Sequence, residues 1–417
     1  MKKYIDKNLN KILIYFILLC PLLDLLTGFL INSVGINFSF GIIGRSIFLF
    51  FLIIYSFFIK EGYKKKWYLF VILGLLLYFI CFSFNLLIIN NCSIGTLIKE
   101  LVFLTRILYT PLSLLALLTL SKYIKIEAKH LVLILFTYAS FIIFADITKT
   151  AMNSYDVAKM GHVGWFNSAN EISAIFSILL PFAASYFLKT RKTFSSYATI
   201  ITIFYALLLI GTKTPIISIF IIGISLIIYI FMKNKPSIKQ ISYSVLLVLL
   251  VGSIIPFTPF YNNLKIHYDY LKVDSMFEIF TDYEKFDHFV LGSRLKLLGN
   301  TNEVYKKAAL NNKVFGLGTK DYKNNEYYKF VEMDIFDIYY FAGPFIFIFT
   351  FLIVPILYVL HLKNKPDKRK KLIYSLSIGL GLLISLIAGH VFSAPSVGLY
   401  FVIILIMFYN NVEGDII

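Results

Sequence analysis

Apolar runs of about 20 residues recur almost from end to end of this chain, each long enough to cross a bilayer as a helix. The hydrocarbon core offers no water to backbone N–H and C=O groups, so a spanning segment must be a helix or part of a closed barrel. The runs are continuous rather than alternating, which predicts an all-α polytopic membrane protein. About twelve are found, near 11–31, 38–59, 67–89, 94–120, 130–148, 169–188, 195–210, 214–232, 241–257, 335–360, 372–388 and 396–410. Composition agrees: 59% of the 417 residues are hydrophobic and the mean hydropathy is +0.78, which excludes an ordinary soluble globule. Leu19 and Cys20 are followed by Pro21 and further apolar chain, so no cleavable signal is expected. Cys20, Cys81 and Cys92 do not make a disulfide framework. The abundance of Ile, Lys, Asn and Phe fits an AT-rich bacterial genome.

The net charge of +17 first suggests a nucleic-acid partner, but its distribution points elsewhere. Basic residues gather in the N-terminal arm (Lys2, Lys3, Lys7, Lys11) and then in alternate loops, at 60–66, 122–129, 189–192, 233–239 and 363–371. The intervening short loops hold only Lys149, Lys159 and Lys213. By the positive-inside rule both termini are cytoplasmic, and no nucleic acid is expected. The chain then divides into spans one to nine (1–257), a large extracellular loop (258–334) and spans ten to twelve (335–417). The loop carries 11 Lys/Arg and 11 Asp/Glu, so it is locally neutral.

Charged residues inside the spans gather toward the outer side: Asp24, Arg45, Lys99, Glu100, Asp146, Glu171 and Asp337, with Arg106 near the middle of its span. Charge in hydrocarbon is expensive unless it pairs or faces water, so the set predicts a hydrated, outward-facing cavity. For any one of them the competing reading is an ion pair between helices, for example Asp24 with Arg45.

Within the large loop, "GSRLKLLGNTNEVYKKAALNNKVFGLG" (292–318) reads as an amphipathic helix resting on the membrane or on the bundle, capped by Ser293 and ended by Gly316 and Gly318. Arg294 falls in its first turn, where a cation opposes the helix dipole. Free N–H groups beside a guanidinium make an anion site suited to phosphate or pyrophosphate; the plainer reading is a solvated loop Arg. "GHVGWFNSANEISA" (161–174) places Asn167, Ser168 and Asn170 where they can cap a span. Trp165 and Phe166 beside two Asn suit sugar stacking or the membrane interface. "GTKTP" (211–215) puts Lys213 at an outer turn. "KFVEMDIFDIYYFAGP" (329–344) puts Glu332, Asp334 and Asp337 at the outer mouth of a span, where a carboxylate can act as a base. Glu332 and Asp334 form at best a weak cation pair. His390 ends the eleventh span, and a lone His is more often structural. No phosphate-binding Gly-rich loop, metal-ligand cysteine pair or serine-hydrolase elbow is present.

The stretches "GWFNSANEISAIFSILLP" (164–181), "GTKTPIIS" (211–218), "SRLKLLGNTNEVYKKAALNNKVFGLGTKDY" (293–322) and "EMDIFDIYYFAGPFIF" (332–347), in this order and topology, resemble the O-antigen polymerase and O-antigen ligase superfamily. The likeness runs from about residue 10 to 410 and is strongest to the Wzy-type polysaccharide polymerases of Gram-positive bacteria. One departure is that Glu332-Met333 stands where ligase members have His-Asn, eleven residues before Gly343. The resemblance implies a type C glycosyltransferase-like bundle in the bacterial cytoplasmic membrane, with an outward-facing site and no cofactor or metal. It implies a substrate of undecaprenyl-pyrophosphate-linked oligosaccharide and, as a possible partner, a polysaccharide chain-length regulator. Arg294 is then the catalytic cation and Glu332 or Asp334 the base. Lys213, Asn167, Asn170, Arg106, Arg45, Asp337 and His390 are the candidate substrate-binding residues. Two rivals stand beside a polymerase: a ligase-like enzyme with another acceptor, and a flippase for lipid-linked sugars. The second is disfavoured by the lack of a convincing internal repeat, by charges that gather outside the midplane, and by the large outer loop between the ninth and tenth spans.

Overall fold

A computed structural model of the chain describes residues 2–36, 39–154, 159–189, 193–233, 253–273, 275–319, 330–352, 354 and 368–410. The first eight helices are α1 (Lys2–Phe29), α2 (Phe40–Ile54), α3 (Lys66–Phe84), α4 (Ile94–Leu120), α5 (Ala128–Ile147), α6 (Ala169–Lys189), α7 (Phe194–Ile210) and α8 (Lys213–Lys233). The polar segment supplies α9 (Pro259–Leu271), α10 (Met276–Thr281), α11 (Tyr283–Phe286), α12 (Arg294–Lys307) and α13 (Leu310–Phe315). The last three are α14 (Asp334–Phe351), α15 (Lys368–Ile387) and α16 (Pro395–Asn410). Among the described residues, seven helices are long and apolar enough to cross a bilayer and four more are apolar but shorter; each lies on an expected run. The expected ninth run, 241–257, falls mostly outside the described residues, as does the end of the tenth.

Burial sorts the spans by what surrounds them. Pro395 to Phe408 of α16 are buried throughout, against α4, α6 and α15. A helix that is apolar all round belongs inside such a bundle. One face of α3 is the opposite case, with Phe70 77% and Ile80 67% exposed toward what is lipid in a membrane. Some buried hydroxyls of the bundle bond within it, as Ser173 with Thr212 at 2.6 Å and Thr110 to the carbonyl of Phe392.

One span is broken. Gly343 in α14 has φ 81° and ψ 165°, and Pro344 follows it. Proline lacks an N–H and clashes with the preceding turn, so carbonyls before it lose their helical partners. The loop after α13 replaces them: Leu317 N donates to the Tyr340 carbonyl (2.8 Å) and Gly318 N to that of Phe341 (3.1 Å). The Tyr78 hydroxyl donates to the carbonyl of Ala342 at 3.0 Å. The approach requires glycine on both sides. A Cβ on Gly343 would stand 2.4 Å from the Val314 carbonyl oxygen, and one on Gly316 would stand 2.3 Å from that of Phe341. The "VFGLG" stretch thus fastens the polar segment to the outer half of α14.

Candidate functional site

Arg294 and Glu332, 38 residues apart, meet where the polar segment joins α14. Arg294 Nη2 donates to Glu332 Oε2 at 3.0 Å and Nη1 to the Leu291 carbonyl at 2.9 Å. Arg294 Nε is buried with no hydrogen-bond partner among the described residues. Glu332 is half exposed, and its Oε1 bears no hydrogen bond among the described residues. The pair sits at the N-terminus of α12, where the chain turns through two left-handed residues, Gly292 (φ 66°) and Ser293 (φ 66°). Ser293 does not cap the helix, contrary to the sequence expectation. In that conformation its side chain is turned away, and the buried Asp287 carboxylate takes the role, accepting from Leu295 N and Lys296 N at 2.9 Å each. The helix also stops earlier than expected, at Lys307, and α13 forms a separate turn after Ala308 and Ala309. It rests on α14 through Tyr305, whose ring packs on Tyr339 and Tyr340.

A group of cations surrounds this corner. Lys213, the first residue of α8, donates from Nζ to the Phe289 carbonyl and lies 5.2 Å from the Phe289 ring centre. Lys159 and Arg294 are both close enough to Lys213 to repel its charge. His267 of α9 and His288 stack edge to face at 5.4 Å beside them. Burial, then repulsion by Lys213 and Lys159, lowers the pKa of His267 to about 4, so that it is neutral at pH 7. Burial and the same two lysines also lower that of His288. Buried Asn263 builds the platform beneath them: it exchanges 2.7 Å hydrogen bonds with both N–H and C=O of Met160 and donates to the Gly211 carbonyl at 3.0 Å. Like charges held together in a partly dry place repel, and a bound anion relieves the repulsion.

The other carboxylates are occupied differently. Asp334 is 1% exposed and accepts four hydrogen bonds, from His390 N (2.9 Å), Val391 N (2.7 Å), Phe392 N (2.8 Å) and the Ser393 hydroxyl. Asp337, also buried, accepts from Val331 N at 2.7 Å. Both carboxylates therefore hold backbone. Asp337 fixes the residue before Glu332, and Asp334 fixes the loop that His390 opens with φ 65°. Glu332 itself is left-handed, φ 61°, a conformation that costs on the order of 1–3 kcal/mol and is retained between these two anchors. Glu332 and Asp334 face different partners and do not form a cation pair. His390 takes part through its backbone N–H.

A cavity of about 480 Å³ opens among α1, α2, α4, α6 and the start of α16, and Arg45, Arg106 and Asn167 line it. Arg45, 1% exposed, is held bidentately by Asp24 at 2.7 Å for both bonds, and Tyr138 donates to the same carboxylate at 2.5 Å. The interhelical ion pair is therefore formed. Arg106 is exposed to the cavity and has no hydrogen-bond or ion-pair partner among the described residues. Asn167 accepts from Asn32 Nδ2 at 3.2 Å, and Asn170 is exposed outside the cavity lining. Ser168 caps α6, accepting from Glu171 N. Phe166 is buried against Tyr138, and Trp165 packs on Phe144 while donating to Thr150, so these rings serve packing rather than an open sugar platform.

Sequence reading brought Arg294, Glu332 and Lys213 to one region and passed over Lys159, His267, His288 and Asp287. Lys159 carried a usable signal, as one of few cations in an outer loop. The two histidines carried none, because only folding of the polar segment onto the Gly211 turn brings them near Lys213.

A family model for O-antigen ligase like membrane proteins matches residues 6–278 and 272–414, nearly the whole chain. No similar curated protein and no similar solved structure was found. Many apolar helices and this match over both halves lead to one conclusion: the chain is a multi-pass membrane protein of the O-antigen ligase-like family, whose members handle lipid-linked glycans.

Proposed function

We propose that the chain is a polysaccharide polymerase that joins undecaprenyl-pyrophosphate-linked oligosaccharide repeat units at the outer face of the cytoplasmic membrane. The observation that carries the proposal is the Arg294–Glu332 pair beside Lys213, Lys159 and two histidines. A hydroxyl oxygen of one lipid-linked unit attacks the anomeric carbon of another. The new C–O bond forms as the bond to pyrophosphate breaks, and the leaving group takes the electron pair. Arg294 and Lys213 meet the charge that grows on it; preorganised donors of this kind each contribute about 10²–10³ in rate. Glu332 receives the hydroxyl proton at Oε1, the oxygen that bears no hydrogen bond among the described residues. Asp334 and Asp337 are positioning residues that set the backbone around Glu332. The donor carries its own driving force in the pyrophosphate bond. Arg106, exposed to the cavity and without a partner among the described residues, binds further glycan or phosphate oxygens.

The broken span α14 gives no support to a transporter. Its freed carbonyls are taken by Leu317, Gly318 and Tyr78 rather than turned to a substrate. A ligase would share the donor half and differ in the acceptor. The test is the size profile of lipid-linked and surface glycan in cells carrying Arg294→Ala or Glu332→Gln. A polymerase variant stops at single repeat units on the lipid. A ligase variant makes long polymer that stays on the lipid. Wild-type profiles for both variants sink the proposal.

A further inference from the structure

A second, smaller polar cavity of about 190 Å³ lies at the outer ends of α3 and α4, beneath α13 and the Gly316–Gly318 turn. Roughly 10–15 Å³ by this measure holds one water, so the space is of ring size rather than that of a single bridging water. Three side-chain amides, of Asn85, Asn90 and Asn312, line it, and that of Asn311 bonds to all three. Asn311 Nδ2 donates to Asn85 Oδ1 (2.8 Å) and Asn90 Oδ1 (3.2 Å), and Asn90 Nδ2 donates to Asn312 Oδ1 (3.0 Å). This arrangement uses the acceptor oxygens of Asn85 and Asn312 and leaves their N–H₂ groups without an acceptor among the described residues. Asn85 is 2% exposed and lines the cavity, so its open donors are both buried and aimed at the space. Glu100 of α4, 1% exposed, lines it too, and accepts from Thr319 N (2.6 Å) and Oγ1 (2.7 Å). Buried Phe82 supplies an apolar wall.

These groups select by exclusion. A carboxylate disfavours an anion, and open amide N–H groups disfavour a cation. A neutral ring bearing several oxygen acceptors, with a C–H face for Phe82, satisfies all of them. We propose that this cavity is a subsite for one neutral sugar residue of the glycan, apart from the Arg294 centre. It rests on the polymerase reading only for which glycan arrives. α4 links the two places: Phe103, one turn beyond Glu100, packs on Phe330 at 5.5 Å, two residues before Glu332.

Cys92 lines the cavity and reports on it. The full chain in membranes is alkylated with N-ethylmaleimide, and the Cys92 peptide is followed by mass spectrometry. Two additions are compared: lipid-linked oligosaccharide extracted from the organism carrying the chain, and the same extract with its sugars removed. The intact extract should slow alkylation of Cys92 several-fold and the stripped extract should not. Asn312→Asp keeps the acceptor for Asn90 and removes the open donors, and Asn85→Asp does the same at the buried position. Either variant should lose the protection while its alkylation rate without extract stays that of the wild type. Equal protection by both extracts would mean that lipid fills the cavity, and no protection by either that it holds water only; each overturns the subsite. Arg294→Ala separates the two ideas. Protection with an unchanged glycan profile in that variant removes Arg294 from the reaction and leaves the subsite. A profile stopped at single units without protection does the reverse.

Discussion

Asp334 and Glu332 lie two residues apart in one acidic stretch and do different work. All four donors around Asp334 are backbone or hydroxyl groups that close the loop after α15, so its substitution should register as lost structure. Asp334→Asn sets an amide N–H₂ against N–H donors and should destabilise the protein by about 3 kcal/mol, a value typical of a charged hydrogen-bond acceptor lost from the interior. Thermal unfolding in detergent measures this, and Glu332→Gln should leave the same midpoint nearly unchanged while stopping glycan extension. His267 gives a pH signature. Its pKa falls from the ordinary 6.5 to about 4 through burial and the lysines, so the unfolded chain binds the proton more tightly than the folded one. The neutral form therefore adds stability in full above pH 6.5, and that stability is lost as pH falls toward about 4. The drop in melting temperature across that window should shrink in His267→Gln. An equal drop in both proteins would remove His267 as its source.

At the level of elements, α14 shows what a sequence makes visible and what it conceals. The span was legible from its apolar run, and the break was written in the Gly343-Pro344 pair, a strong local signal of interruption. The repair was not legible, because its donors come from Leu317, Gly318 and Tyr78, distant in sequence. Ser293 fails as a cap for a local reason: it takes a left-handed conformation, and the nearby Asp287 carboxylate, 8 residues before Leu295, caps the helix in its place. Gly343→Ala should be poorly tolerated. Its Cβ meets the Val314 carbonyl, which is backbone and cannot swing aside, and a non-glycine residue at positive φ adds about 1–3 kcal/mol of strain. The variant should accumulate at a lower level and melt earlier, whereas Gly223→Ala, where no atom lies within 4 Å of the new Cβ, should behave as wild type.

For the whole molecule, hydropathy and the alternation of basic loops carry most of the information, since a bilayer forces continuous apolar helices and sorts Lys and Arg. Arg294 and Glu332 stand out in the sequence because both are charged residues of a polar segment between apolar runs, whereas their contact across 38 residues does not. Nor do the cavity that Arg106 lines and the Asn cluster under α13, because each is assembled from several helices. Orientation is testable: in intact cells an impermeant maleimide should label Thr281→Cys, in the polar segment, and spare Lys64→Cys, in a basic loop. The reverse pattern would turn the protein over and put the Arg294 corner inside. The most direct measurement is the size profile of lipid-linked and surface glycan, compared between wild type, a deletion and Arg294→Ala at matched protein level. If Arg294 carries the reaction, the substitution leaves single repeat units on the lipid, as the deletion does. Long polymer from Arg294→Ala, indistinguishable from wild type, would contradict it.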